Sequence, residues 1–147
     1  MNRRLLAFAS LLLLAGCHMR SADPKVSDAW VRLPAVAGQP AAAYFTIRGG
    51  RSAKALVRME SALAAKTEMH QNMHGMQGMT SMAPLDHVDV PAGGIVQFKP
   101  GGNHAMLFGL DPAIKPGTAV PIRLGFSDGT TAEAEAKTVG AGEDAPY

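Results

Sequence analysis

The sequence is poor in cysteine, lacks a long uninterrupted apolar run and carries nearly balanced charge. Its 147 residues contain one Cys, which excludes an internal disulfide, a thiolate zinc cluster, a CxxC redox pair and an iron–sulfur centre, all of which need at least two. A net charge of +2 is too small to argue for nucleic-acid binding. The apolar run from Leu5 to Leu14 falls well short of the roughly 20 residues that span a bilayer. What is abundant is methionine, with nine residues. A chain of this length forms one domain and can bury about two-thirds of its unfolded surface without metal or disulfide staples.

The N-terminus accounts for three of these features. Arg3 and Arg4 precede the apolar run, which is the pattern of an export signal over residues 1–16. The run ends in Leu14-Ala15-Gly16-Cys17, which resembles the bacterial lipobox, whose cysteine is acylated and becomes the first residue of the mature chain. Cys17 is then a lipidation site, and insertion of its acyl chains contributes about 0.8 kcal/mol per buried methylene. Removing Arg3 and Arg4 from the 14 basic residues leaves 12 against 12 acidic ones, so the mature chain is neutral. The expected organisation is a signal over 1–16, a lipid-anchored tether over 17–25, a folded domain over 26–138 and a tail over 139–147. The expected location is the periplasm, with the membrane reached only through the lipid. His18, where an Asp would signal inner-membrane retention, points to the outer membrane.

Glycine and proline cut the mature chain into segments too short for typical helices. Within them the apolar period is two: Ile122, Leu124 and Phe126 alternate with Pro121, Arg123 and Gly125. Strands are predicted near 26–33, 42–48, 53–60, 66–71, 85–90, 94–99, 104–110, 119–126 and 130–138. Eight or nine short strands make an all-β sandwich or barrel. Trp30 and Tyr44 are expected in the core or at its edge, and His87 in a structural position.

Five of the nine methionines lie between Met69 and Met82, together with His70 and His74. Spacing of three from Met73 through Met76 and Met79 to Met82 would suit a helix face, but Asn72, Gly75, Gly78, Thr80 and Ser81 are poor helix formers, so a flexible Met-rich loop is predicted. Thioethers are soft, neutral and unable to form disulfides. With histidine they can hold Cu(I) in an oxidising compartment, whereas Mg(II) and Ca(II) prefer oxygen. Further on, His104-Ala105-Met106 opens a predicted strand, where residues two apart share a face.

Between Met82 and His104 lie 21 residues, and Met106 follows at the second position after the histidine. This resembles the PCu(A)C family of periplasmic copper chaperones, whose motif runs His, about ten residues, Met, 21 residues, His-x-Met. Asp28-Ala29-Trp30-Val31-Arg32, Ala42-Ala43-Tyr44-Phe45-Thr46-Ile47, Val90-Pro91-Ala92-Gly93-Gly94 and Lys99-Pro100-Gly101-Gly102 are similar to the family as well, so the resemblance covers about 26–138. It implies a cupredoxin-like Greek-key barrel or sandwich and a Cu(I) site of His70, Met82, His104 and Met106. Eleven residues separate His70 from Met82 where the family has ten. Met69, Met73 and His74 are therefore substitutes for His70, and Met76 and Met79 are auxiliary.

The resemblance further implies a carrier that gives Cu(I) to the copper-bearing subunit of a haem–copper cytochrome oxidase, directly or through a thioredoxin-like copper chaperone. No substrate bond is made or broken, so the protein is not expected to be an enzyme. A blue-copper electron carrier needs a cysteine ligand, which the domain lacks. The competing expectations are a copper-buffering or resistance lipoprotein that never donates its metal, and a metal-free interaction sandwich with the Met segment as its partner surface.

Overall fold

The computed structural model describes residues 21–147; the expected signal over 1–16 and the expected acylation site Cys17 lie outside the described residues. Ten strands follow in chain order: β1 (Lys25–Arg32), β2 (Ala41–Arg48), β3 (Lys54–Glu60), β4 (Lys66–His74), β5 (Thr80–Pro84), β6 (Val88–Val90), β7 (Ile95–Phe98), β8 (Asn103–Phe108), β9 (Ala119–Phe126) and β10 (Thr131–Val139). Among the described residues the one helical element is a single 3₁₀ turn, Met76–Gly78. The all-β expectation holds, with one strand more than the eight or nine predicted. They form one sheet in the order β5-β4-β8-β7-β2-β1-β10-β9-β3-β6. The sheet curls back on itself, and the Thr67 hydroxyl of β4 donates to the Met59 carbonyl of β3.

The period-two pattern decides which side chains face inward. In β9, Val120, Ile122, Leu124 and Phe126 are buried and their neighbours Pro121 and Arg123 are exposed. The core gathers Val31, Phe45, Ile47, Leu56, Met59, Phe98 and Leu107, with Phe45 and Phe98 stacked at a centroid distance of 4.3 Å. Each such side chain contributes about 1.5–3 kcal/mol on burial. Trp30 and Tyr44 are buried too, but they form a second, smaller cluster with Val139, their rings 4.4 Å apart.

The extra strand comes from the Met-rich segment. The predicted strand 66–71 runs on to His74, and residues 80–84 pair back along it, with His74 opposite Thr80 and Asn72 opposite Met82. The segment is a β-hairpin closed by the 3₁₀ turn, where Gly75 N–H donates to the Met79 carbonyl at 2.8 Å, rather than the flexible loop expected. Gly78, at φ +75°, supplies the left-handed residue that this turn requires. The predicted strand 85–90 shortens to Val88–Val90, and Leu85 N–H instead donates to the Met69 carbonyl of β4 at 2.8 Å.

Asp23 and Lys25, before residue 26, also take part in the fold. Asp23 and Asp128 both pair with Lys54, at 3.1 and 2.7 Å, and the Lys54 side chain is only 8% exposed. The ammonium thereby ties the segment before β1, the start of β3 and the β9–β10 turn together, and Thr130 completes its shell at 2.9 Å. The Lys54 hydrogen bond, with help from Thr130, pulls the Asp128 carboxyl down from 3.8 to about 2. A carboxyl lowered in the folded state stabilises the fold above its unfolded value, and that contribution disappears as pH falls through the folded one. The melting temperature of Asp128→Asn should therefore change less than that of the wild-type protein between about pH 5 and about pH 2. Equal acid sensitivity in the two proteins would contradict the linkage.

Candidate metal centre

Alternation sorts the histidines and methionines of β4, β5 and β8 onto two faces. Met69 is 6% exposed and belongs to the core, as do Ala105 and Leu107 of β8. Glu68 and His70 therefore lie on the outer face of β4, and His104 and Met106 on the outer face of β8. The ladder sets His70 opposite His104 and Glu68 opposite Met106. Across the hairpin, Asn72 is opposite Met82, which places Met82 on the same outer face one diagonal step from His70.

The side chains converge from these positions. The Met82 sulfur lies 3.3 Å from His104 Nε2. His104 Nδ1 lies 3.1 Å from the Gly102 carbonyl oxygen. A carbonyl can only accept, so Nδ1 carries the proton and donates it, and in the neutral ring Nε2 is left with a bare lone pair facing the thioether. Two lone-pair donors in contact, without a proton to share, are an arrangement that could hold a metal ion. With bonds of about 2.0 Å to nitrogen and about 2.3 Å to sulfur, as for a zinc-sized ion, a 3.3 Å separation corresponds to a ligand–metal–ligand angle of about 100°. His70 and His104 meet edge to face at 5.9 Å between ring centroids. His70 Nδ1 is buried and has no hydrogen-bond partner. Such an orphaned acceptor is costly unless something occupies it.

Among the described residues no group of three or more His, Cys, Asp or Glu side chains could hold a metal. The donors that do assemble are two imidazoles with thioether sulfur, which suits a soft monovalent ion and not a hard divalent one. Met106, half-buried, shares the face of His104 at the next outward position of β8.

The other sequence candidates separate clearly. Met69 cannot substitute for His70, because strand alternation turns it into the core. Met73 has the same parity as Met69 and so faces away from His70, 51% exposed where the hairpin projects past the core. His74 shares the His70 face but lies four residues along the strand, about 13 Å at 3.3 Å per residue. Met76 opens the 3₁₀ turn and Met79 follows it, 93% and 70% exposed. The twelve-residue offset between His70 and Met82 is even, so the longer loop leaves both on one face of the hairpin.

Sequence reasoning missed Glu68, whose carboxylate lies 3.0 Å from His70 Nε2. Its signal was available: a carboxylate two residues before a histidine on a strand shares that histidine's face. The Lys66 ammonium beside it, with His70 adding to the effect, holds the Glu68 carboxyl below the usual carboxylate range. Met69→Leu should leave soft-metal affinity unchanged and alter stability by less than about 1.5 kcal/mol, as a volume-conserving core exchange does. Met82→Leu should weaken Ag(I) binding, measured by competition with a chelator; an unchanged affinity would separate Met82 from the centre.

Comparison with known proteins places the chain in a wider group. The family model described as LpqE-like lipoprotein matches residues 25–138. "Putative lipoprotein Lxx21020" of Leifsonia xyli subsp. xyli (strain CTCB07) is 31% identical over 134 residues, covering 84% of this chain and 80% of its own. The solution structure of CuI-DR1885 from Deinococcus radiodurans is 29% identical with a TM-score of 0.58, covering 84% of this chain and 82% of that one. The copper-bound PCuAC domain from PmoF2 has a TM-score of 0.64 over 78% of this chain and 91% of its own; at 20% identity that likeness concerns the fold. Since the family model extends from the first residue of β1 to the penultimate residue of β10, the protein belongs to the LpqE-like (PCu(A)C) family.

Proposed function

We propose that the protein is an extracytoplasmic Cu(I) carrier, held at the membrane by acylated Cys17 and loading its cargo onto His70, Met82, His104 and Met106. The observation that carries this reading is the bare Nε2 of His104 facing the Met82 sulfur at 3.3 Å, with the unpartnered Nδ1 of His70 on the adjacent strand. The Cu(I) form of the Deinococcus radiodurans relative supports the choice of metal. The lipoprotein name of the Leifsonia relative supports the anchor.

The site lies on the outer face of the sheet, where His104 is buried and Met82 is 57% exposed. An acceptor can therefore reach the metal without opening the core. Transfer proceeds by ligand exchange: an incoming thiolate or imidazole displaces the exposed thioether first, and the backed histidines release last. The acceptor implied by the family is the copper-bearing subunit of a haem–copper cytochrome oxidase, or a thioredoxin-like chaperone that serves it. The domain at work is 26–138 with its flanks, the tether before it and the tail after it. No substrate bond changes, so the activity is carriage and not catalysis.

The exposed Met73, Met76 and Met79 favour a second reading, a buffer that stores several ions on the hairpin. The two readings separate by stoichiometry and donation. Titration of the mature protein against a Cu(I) chelator should give one tight equivalent, and His104→Ala should lose it; equal affinity in both proteins would remove the site. In a mixture of the loaded domain with an apo copper-bearing oxidase fragment, a carrier should give up its ion. Retention of several equivalents on the domain would establish the buffer instead.

A further inference from the structure

The two histidines are held by opposite nitrogens. His104 gives its Nδ1 proton to the Gly102 carbonyl and leaves Nε2 bare. His70 contacts Glu68 through Nε2 at 3.0 Å and leaves Nδ1 bare, buried and unpartnered. Glu68 is ionised, because Lys66 forms an ion pair with its other oxygen, and an ionised carboxylate can only accept. The proton of a neutral His70 ring must then sit on Nε2.

Glu68 also occupies a particular place on the outer face. On β4 it is the next outward residue from His70, and across the ladder it stands opposite Met106. It is therefore flanked by two of the four residues assigned to the metal. Those four are all neutral donors, so a monovalent ion bound by them keeps its whole charge. A carboxylate hydrogen-bonded to one ligand offsets that charge and raises the basicity of the imidazole it touches. The Glu68 side chain is 33% exposed, and that of His70 is 15% exposed, so water screens the interaction only in part.

Resting on the copper reading above, we propose that Glu68 is a positioning residue of this centre: it fixes His70 in the Nε2–H tautomer, so that copper is taken by Nδ1 of His70 and Nε2 of His104. The alternative arrangement has the opposite sign. If copper bound Nε2 of His70, Glu68 would compete with the metal, and removing it would tighten binding.

The test uses the full mature protein and two readouts. Long-range ¹H–¹⁵N NMR of the metal-free protein reports which nitrogen of His70 carries the proton. Wild type should show the Nε2–H form, Glu68→Gln should keep it because the amide oxygen still accepts, and Glu68→Ala should give a mixture. Chelator competition with Cu(I) should show a loss of about 10–100-fold for Glu68→Ala, the range for removal of a group that backs a metal ligand, and a smaller loss for Glu68→Gln, which keeps the acceptor without the charge. Glu68→Gln, folded by its melting curve, guards against a purely structural effect. An unchanged tautomer in Glu68→Ala, or unchanged or tighter copper binding in it, overturns the positioning assignment alone. A wild-type protein that binds no Cu(I) overturns the copper reading and this proposal with it.

Discussion

The pairing of β4 with β8 is the constraint on which the centre depends. Its register puts His70 across from His104 and Met69 across from Ala105, so the same ladder that closes the core presents the two imidazoles outside it. Because the side-chain period of a strand is two, a slip of one residue would carry His70 toward the core and expose Met69. Burial of Met69, Ala105 and Leu107 opposes that slip. Hydrophobic packing on one face thus specifies how the candidate donors are arranged on the other.

Around this ladder the polar contacts are few and directional. Gly102 and Glu68 each accept from one histidine, and the two acceptors sit at opposite ends of the pair. Neither contact dominates stability, since a neutral hydrogen bond contributes roughly 1 kcal/mol net and one to a charged group about 1.5–3 kcal/mol. Their effect is to decide which nitrogen is bare. The turn that carries Gly102 is itself held by Gly102 N–H donating to Lys99 O at 3.0 Å, so the acceptor for His104 is part of the backbone and cannot turn away. Glu68 is a side chain on the rim, held by Lys66 and His70, and responds to its surroundings.

The hairpin of β4 and β5 shows where local sequence preference misleads. Gly75, Gly78, Asn72, Thr80 and Ser81 all disfavour helix, and that part of the reading was sound. The further step from poor helix former to flexible loop failed, because strand pairing needs no strong intrinsic preference once a partner lies alongside. β4 gains that partner from β8 over residues 66–71 and from β5 over residues 70–74. The outcome matters for the chemistry: Met82 reaches His104 from a defined position on a strand. The methionines beyond the site, at the turn, remain exposed where no packing opposes them.

Residue types and period-two spacing were enough to predict an all-β domain with soft neutral donors, and the family resemblance linked Met82, His104 and Met106 as candidates. They also placed most strands within one or two residues, since burial on one face writes itself into alternation. What alternation along a single strand cannot specify is which strands lie side by side. That pairing, made by long-range backbone hydrogen bonds and a shared core, removed Met69 from the candidates, kept His70 despite the longer spacing to Met82, and brought in Glu68. Which nitrogen of each ring is left bare belongs to the tertiary structure for the same reason: it depends on which acceptor the fold brings against each ring.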